Sequence, residues 1–232
     1  MGCGPGRDGG GAVSRTVSRL STGSCSTPCR AEANLVGVTS THDDIPALGR
    51  HQTLVFTLGQ AWRSAPEPEL RPTRVEARFA DGRLMVDAEL VDDDVFNRAT
   101  RHNQRTWELG DVLEIFVRRD DSEEYTEVHV TPDNLRLHLR FEDFTQVSRI
   151  ADIDEVAADP ESIASTVDRT SRGWRTRVVV PVDAAIGDLL RLSFCRYDAT
   201  RGREQPVLSS SSPHPELSFH RPLEWRLCRV VD

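Results

Sequence analysis

Between Thr106 and Pro132 the sequence reads TWELGDVLEIFVRRDDSEEYTEVHVTP, two apolar runs of strand length separated by a loop of charges. Side chains alternate across a strand, so residues at i and i+2 share a face. In Tyr125–Thr131, Thr126, Val128 and Val130 form one face and Tyr125, Glu127, His129 and Thr131 the other. In Val112–Val117 both faces are apolar except for Glu114, so this strand is expected to be central and covered on both sides. A carboxylate placed there needs an Arg or hydrogen-bonding partner, because an unpaired buried charge is too costly.

The same period continues along the chain. Thr53–Leu58 reads as a first strand. Arg74–Ala80 and Arg83–Val91 flank Asp81-Gly82, a hairpin signal. Asn134–Phe141 carries Leu135, Leu137, Leu139 and Phe141 on one face and Arg136, His138 and Arg140 on the other. Residues 142–163 form an acidic connection with a short helical turn. Ser165–Asp168 and Trp174–Val180 pair around Arg172-Gly173. Pro181–Leu189 is a short helix or turn, Leu190–Tyr197 a strand, Gln205–Ser212 an edge strand and Glu224–Val231 the last strand. The expected fold is all-β: a two-sheet antiparallel sandwich, jelly-roll-like, of about ten strands. Trp174 and Trp225 are expected in the core, and Trp62, among prolines, at one end of it.

Residues 1–33 are rich in Gly, Ser, Thr and Arg without periodicity and read as a disordered or non-native leader; residues 34–232 hold the domain. Net charge is −8, which argues against nucleic acid as a partner. No run of about 20 apolar residues exists to span a membrane. The N-terminus lacks the apolar stretch of a secretory signal. All 29 basic residues are Arg, which fits codon bias in a GC-rich genome. Of five cysteines, Cys3, Cys25 and Cys29 lie in the leader, while Cys195 and Cys228 lie in strands that could bring them together.

If the strands at 112–117, 125–131 and 134–141 are neighbours, one sheet face gathers Glu114, Tyr125, Glu127, His129, Arg136 and His138. Carboxylates, imidazoles and guanidinium beside an aromatic suit sugar hydroxyls and ring faces. A solvated face of cross-strand charge pairs is the alternative.

The block Trp107…Gly110-Asp111…Glu114-Ile115-Phe116, the strand Tyr125…Thr131-Pro132, the pair Leu84-Met85-Val86 with Asp92-Asp93, the opening Gly173-Trp174 and the late Phe194-Cys195-Arg196-Tyr197 occur in an order that resembles a family 9 carbohydrate-binding module, within the DOMON-like β-sandwiches. The resemblance implies noncatalytic binding of an oligo- or polysaccharide by a monomer, as a bacterial accessory to polysaccharide degradation, and export. It implies sugar contacts at Trp107, Glu114, Tyr125, His129, Arg196 and His214. Trp107 is one aromatic wall, and His214 or Phe219 must supply the other, since the late serine loop has no Trp. His129 and Thr131 fall at polar contact positions.

Three other chemistries stay open. A haem- or metal-binding DOMON-like domain would draw on Met85, the one Met of the domain, and a His. Asp92, Asp93 and Asp94 could hold Ca²⁺. Glu114 and Glu127 could serve as a glycosidase pair. A degenerate module used for protein interaction is the remaining alternative.

Overall fold

The computed structural model describes residues 45–232. The leader, its three cysteines and the start of the domain at residue 34 lie outside the described residues. Twelve strands are present among the described residues: β1 Ala47–Leu48, β2 Leu54–Thr57, β3 Thr73–Ala80, β4 Arg83–Val91, β5 Val112–Arg119, β6 Tyr125–Val130, β7 Arg136–Phe141, β8 Ala164–Thr170, β9 Gly173–Pro181, β10 Leu189–Asp198, β11 Val207–Ser210 and β12 Arg226–Val230. Between them lie only short 3-10 turns, with no α-helix among the described residues. The expected strands are all found, and β1 is an addition.

The strands form two sheets. One has five strands in the order β2-β3-β4-β9-β8. The other has seven, β1-β12-β10-β5-β6-β7, with β11 also on β10. Strand β12 pairs with Leu189–Leu192 and β11 with Cys195–Asp198, so both share the edge of β10 opposite β5. All pairings are antiparallel except β1 with β12. At the β3–β4 hairpin Asp81 and Gly82 both have positive φ, 52° and 69°, as a two-residue turn matched to strand twist requires.

The sheets pack through their inner faces. Phe56, Val75, Val86, Trp174 and Val178 of one sheet meet Leu113, Ile115, Val128, Leu192 and Phe194 of the other. Phe56 and Phe194 pack edge to face, with centroids 4.8 Å apart. Such a pair adds about 0.5–1.5 kcal/mol beyond the area it buries.

The outer face of the seven-stranded sheet carries a second apolar cluster, containing Phe116, Tyr125, Leu137, Leu139, Phe141 and Trp225. Two loops cover it. Residues 142–163 turn back along β7, where Arg140 N–H donates to Val156 O and Ala158 N–H to His138 O, closing that edge. Residues 211–225 bring Phe219 and Trp225 over the same face. This second cluster overturns one expectation. Leu137, Leu139 and Phe141 pair directly with His129, Glu127 and Tyr125, so they share the outer face. Arg136 and His138 oppose Val130 and Val128 and lie on the other side, held by the 159–163 segment through Ile163 O and Asp159 O. They do not join Glu114.

Candidate functional site

Strand β5 runs between β6 and β10, and the register sets Glu114 opposite His129 on one side and Cys195 on the other. Glu127 lies two residues before His129, on the same face. His129 Nε2 is 2.6 Å from Glu127 Oε1 and 3.1 Å from Glu114 Oε1. Its Nδ1 is 2.9 Å from the Thr106 hydroxyl. The imidazole is wholly buried, and each carboxylate is almost so. A second imidazole continues the chain: His220 Nε2 lies 3.7 Å from Glu127 Oε2, and its Nδ1 is 2.7 Å from the Tyr125 hydroxyl.

Burial and charge divide the protons within this group. Burial pushes Glu114 up to about 8, against the pull of His129 and with the help of the Glu127 charge. Burial acts on Glu127 in the same direction, yet His220 and His129 hold it below its ordinary value. Burial disfavours the cationic form of His129, and the two carboxylates overcome it, raising the imidazole. Burial lowers His220. The consistent distribution is a Glu127 carboxylate, a His129 imidazolium and a Glu114 carboxylic acid, which is neutral in sum. That is the state a buried site can hold most cheaply.

Above this floor is a cavity of about 390 Å³. Glu114, Glu127, Leu139 and Phe141 come from the strands; Trp107 stands on one side and Phe219 on another. Val147, Ile150 and Ile153 of the 142–163 loop add an apolar flank. Trp107 sits in the 3-10 turn Thr106–Glu108, its ring edge-on to His129 at 5.5 Å between centroids. The same turn therefore places the aromatic side chain and, through Thr106, orients the imidazole beneath it. Asn97 holds the turn by donating to Thr106 O and Asp111 O. The Asp111 carboxylate accepts from Phe96 N–H and Ala199 N–H. Gly110, at φ 146°, leaves room for Phe96 O, which a Cβ would approach to 2.4 Å.

The anticipated residues divide in two. Trp107, Glu114 and His129 meet at the cavity, although His129 lies beneath the carboxylates and only they reach the lining. Tyr125 is buried behind it: its ring stacks on Phe141 at 4.7 Å, and its hydroxyl positions His220. His214 is fully buried outside the lining, with Nδ1 2.7 Å from Glu224 Oε2 and its ring 6.1 Å from Phe219. Of the two residues expected for the second wall, Phe219 is the one that lines the cavity. Thr131 closes the turn to β7, its hydroxyl accepting from Leu135 N–H.

Arg196 lies elsewhere. It pairs with Leu113 across β5 and therefore points between the sheets. There it donates to Val91 O and the Thr73 hydroxyl and forms ion pairs with Asp92 at 3.2 Å and Asp198 at 3.1 Å. It shares a face with Leu192 and Phe194, so alternation along β10 already placed it on the inner side. Glu127, placed on this face by its phase, joins the lining. Residues missed in the sequence are His220, Tyr197 and the 142–153 flank, which lie in loops or at a strand end.

Asp92, Asp111 and Asp198 offer oxygens within 4.8 Å of one another. The cation facing them is the protein's own guanidinium, that of Arg196. Asp94, expected beside Asp92 in a Ca²⁺ site, instead forms an ion pair with Arg201. Met85 lies on the outer side of the five-stranded sheet, none of whose strands carries a His. Cys195 belongs to the outer cluster and Cys228 to the inner core, so the sheet separates them and both are free thiols.

No protein-family model and no curated protein sequence matches the chain. Solved structures match its fold. A candidate carbohydrate-binding protein of Bacteroides uniformis aligns with a TM-score of 0.61 at 14% identity, over 76% of this chain and 86% of that one. A family 9 carbohydrate-binding module of Caldicellulosiruptor kristjanssonii in complex with cellotriose aligns at 0.55 and 14% identity, over 76% and 82%. A family 9 module of the same organism in complex with glucose gives 0.55 and 13%, over 76% and 84%. The expected resemblance is therefore present in the backbone: the chain has the β-sandwich seen in family 9 modules.

Proposed function

We propose that this chain is a noncatalytic carbohydrate-binding module that seats a small saccharide in the cavity over β5 and β6. The observation that carries this reading is the make-up of the cavity: Trp107 and Phe219 at its sides, and Glu114 and Glu127 in its lining, each with a buried Oε2 that lacks a hydrogen-bond partner. Pyranose rings offer C–H faces to aromatic side chains and hydroxyls to fixed polar groups, and about 300–1,000 Å³ is the usual size of a small-molecule site. An unsatisfied buried carboxylate oxygen costs free energy that a ligand hydroxyl recovers. The saccharides bound by the modules of like fold agree with this reading.

The geometry also argues against hydrolysis. A glycosidase pair must flank the scissile bond, with the sugar between its carboxyl groups. Here the His129 imidazole stands between Glu114 and Glu127, in hydrogen-bonding reach of both. The space that the sugar would need holds a side chain.

A glycan array probed with the full chain and with Trp107→Ala is the direct test. Binding to defined saccharides that is lost in a variant with an unchanged melting temperature supports the site. Absence of binding across plant, microbial and host glycans rejects the function.

A further inference from the structure

The two loops over the outer face of the seven-stranded sheet carry apolar side chains that the fold leaves uncovered. Among the described residues five large apolar side chains are exposed, and three of them, Phe144, Leu217 and Leu223, stand on the 142–163 and 211–225 loops. Phe144, 54% exposed, is the one aromatic side chain in that group. A lone exposed Leu or Phe is ordinary, but a patch of them rimmed by polar groups marks a contact surface.

Leu217 lines the cavity already described. Phe144 and Leu223 line a second one, of about 500 Å³, with Thr145, Ser148, Arg221 and Glu224 around them. The two cavities are neighbours, since Val147, Ser218 and His220 line both. The lining is therefore continuous from Trp107 and Phe219, past His220, to Phe144.

The backbone at Phe144 is fixed from both sides. Glu142 N–H donates to Gln146 Oε1 at 2.7 Å, and the Asp143 carboxylate accepts from Thr145 N–H, Gln146 N–H and the Arg149 guanidinium. A ring presented from a fixed turn gives up little freedom on binding. The charges beside it are spent on one another: Arg221 pairs with Glu216 and Glu224, and Glu224 also with His214. What remains is apolar surface and hydroxyls. The Thr145 hydroxyl donates to Asp143 and the Ser148 hydroxyl to Thr145 O, and both oxygens keep their capacity to accept. Such a surface suits an uncharged chain with C–H faces and hydroxyls, whereas a charged peptide meets ion pairs that are already closed.

We infer that the binding site continues beyond the first cavity, and that the groove at Phe144 and Leu223 seats further units of a neutral oligosaccharide, one of them stacked on the Phe144 ring. This rests on the carbohydrate reading and narrows it to a ligand class: a chain of neutral sugar units, ahead of isolated mono- and disaccharides.

Calorimetric titration of the full chain and of Phe144→Ala with β-1,4-linked glucose, mannose and xylose oligomers, in lengths from one unit to six, tests it. In at least one series the wild-type affinity is expected to rise about tenfold or more between the dimer and the hexamer. Phe144→Ala, with an unchanged melting temperature, should bind the dimer within about twofold of the wild type and lose most of that rise. Affinity that is flat with length, or a rise that survives in Phe144→Ala, overturns the inference and leaves the carbohydrate reading standing. Failure of every series to bind the folded chain overturns the inference, and only alongside an empty glycan array does it remove the carbohydrate reading as well. Self-association of the wild type that Phe144→Ala abolishes assigns the patch to a second copy of the chain and likewise overturns the inference.

Discussion

His129 and Glu127 share a 2.6 Å hydrogen bond, Nε2 to Oε1, two residues apart on one strand and wholly inside the protein. Glu114 reaches the same nitrogen from the neighbouring strand at 3.1 Å. Three titratable groups thus meet at one atom, and the fold must choose which of them is charged. The folded chain becomes sensitive to pH in an interval where most carboxylates are silent.

The direction of that sensitivity follows from the shifts. Glu114 and Asp111, each pushed up to about 8 by burial, keep protons that the unfolded chain releases near 4.5 and 3.8. Their share of stability is complete below those ordinary values and is lost as pH rises through about 8. His129, raised by its two carboxylates, acts in the same direction. His138 and His220, lowered by burial, add stability as pH rises, but only up to the ordinary value of 6.5. Glu127, held low, contributes steadily throughout. Between pH 6.5 and 8 the balance falls. Each retained proton removes about 1.4 kcal/mol per pH unit, so the melting temperature should drop by about 5 °C or more across this interval. Glu114→Gln, which imitates the neutral acid, should flatten the decline. A melting temperature that rises over the same interval would refute the assignment.

The place of Arg196 between the sheets argues for a structural ion over a sugar contact, and a single variant separates the roles. Its guanidinium faces Asp92 and Asp198 between the sheets. Arg196→Ala strands those carboxylates and should cost about 3–5 kcal/mol. Chemical denaturation measures that loss. The saccharide affinity of the fraction that remains folded should stay within about twofold of the wild type. A loss of affinity without a loss of stability would return Arg196 to the binding site.

The two strand cysteines give a third expectation. Cys195 and Cys228 are fully buried on opposite faces of one sheet, and burial raises both thiols. Only the thiolate reacts readily. Alkylation of the native chain followed by peptide mapping should leave both unmodified, and denaturant should expose both together. A mass corresponding to a Cys195–Cys228 disulfide would contradict the register of β10 and β12.

Strand alternation carried much of this into view and stopped at a definable point. The turn residues Asp81-Gly82 and the phase of β5 and β6 are local properties, so the hairpins and the shared face of Glu114, Glu127 and His129 were legible. Alternation divides a strand into two faces without saying which is the inner one. In β7 the leucine face was assigned to the core between the sheets by default. The second apolar cluster beneath the loops makes the outer face apolar too, and the assignment reversed for Arg136 and His138. Phe219 and His220 lie in an irregular loop that carries no period. Their meeting with Glu127 depends on a sequence separation of about 90 residues, which only tertiary structure supplies.

Gly110 links backbone geometry to the site, and its replacement is the most informative substitution outside the lining. The residue stands at φ 146°, bridged to Asn97, at the entry to β5. A Cβ there would meet Phe96 O at 2.4 Å and Asn97 Cα at 2.7 Å, both of them backbone atoms that no side-chain rotation can move. The Phe96–Asn97 segment is what Asp111 and the Asn97 amide use to hold the turn bearing Thr106 and Trp107. Gly110→Ala should therefore destabilise the chain by about 2–4 kcal/mol through backbone strain. It should also weaken saccharide binding at temperatures where the chain is still folded, because Trp107 loses its position over His129. Trp107→Ala serves as the comparison: it should abolish binding with little change in melting temperature, since that side chain is only half-buried. If Gly110→Ala melts early and yet binds saccharide at wild-type affinity while folded, the turn is not what positions Trp107, and the aromatic wall must be held from elsewhere.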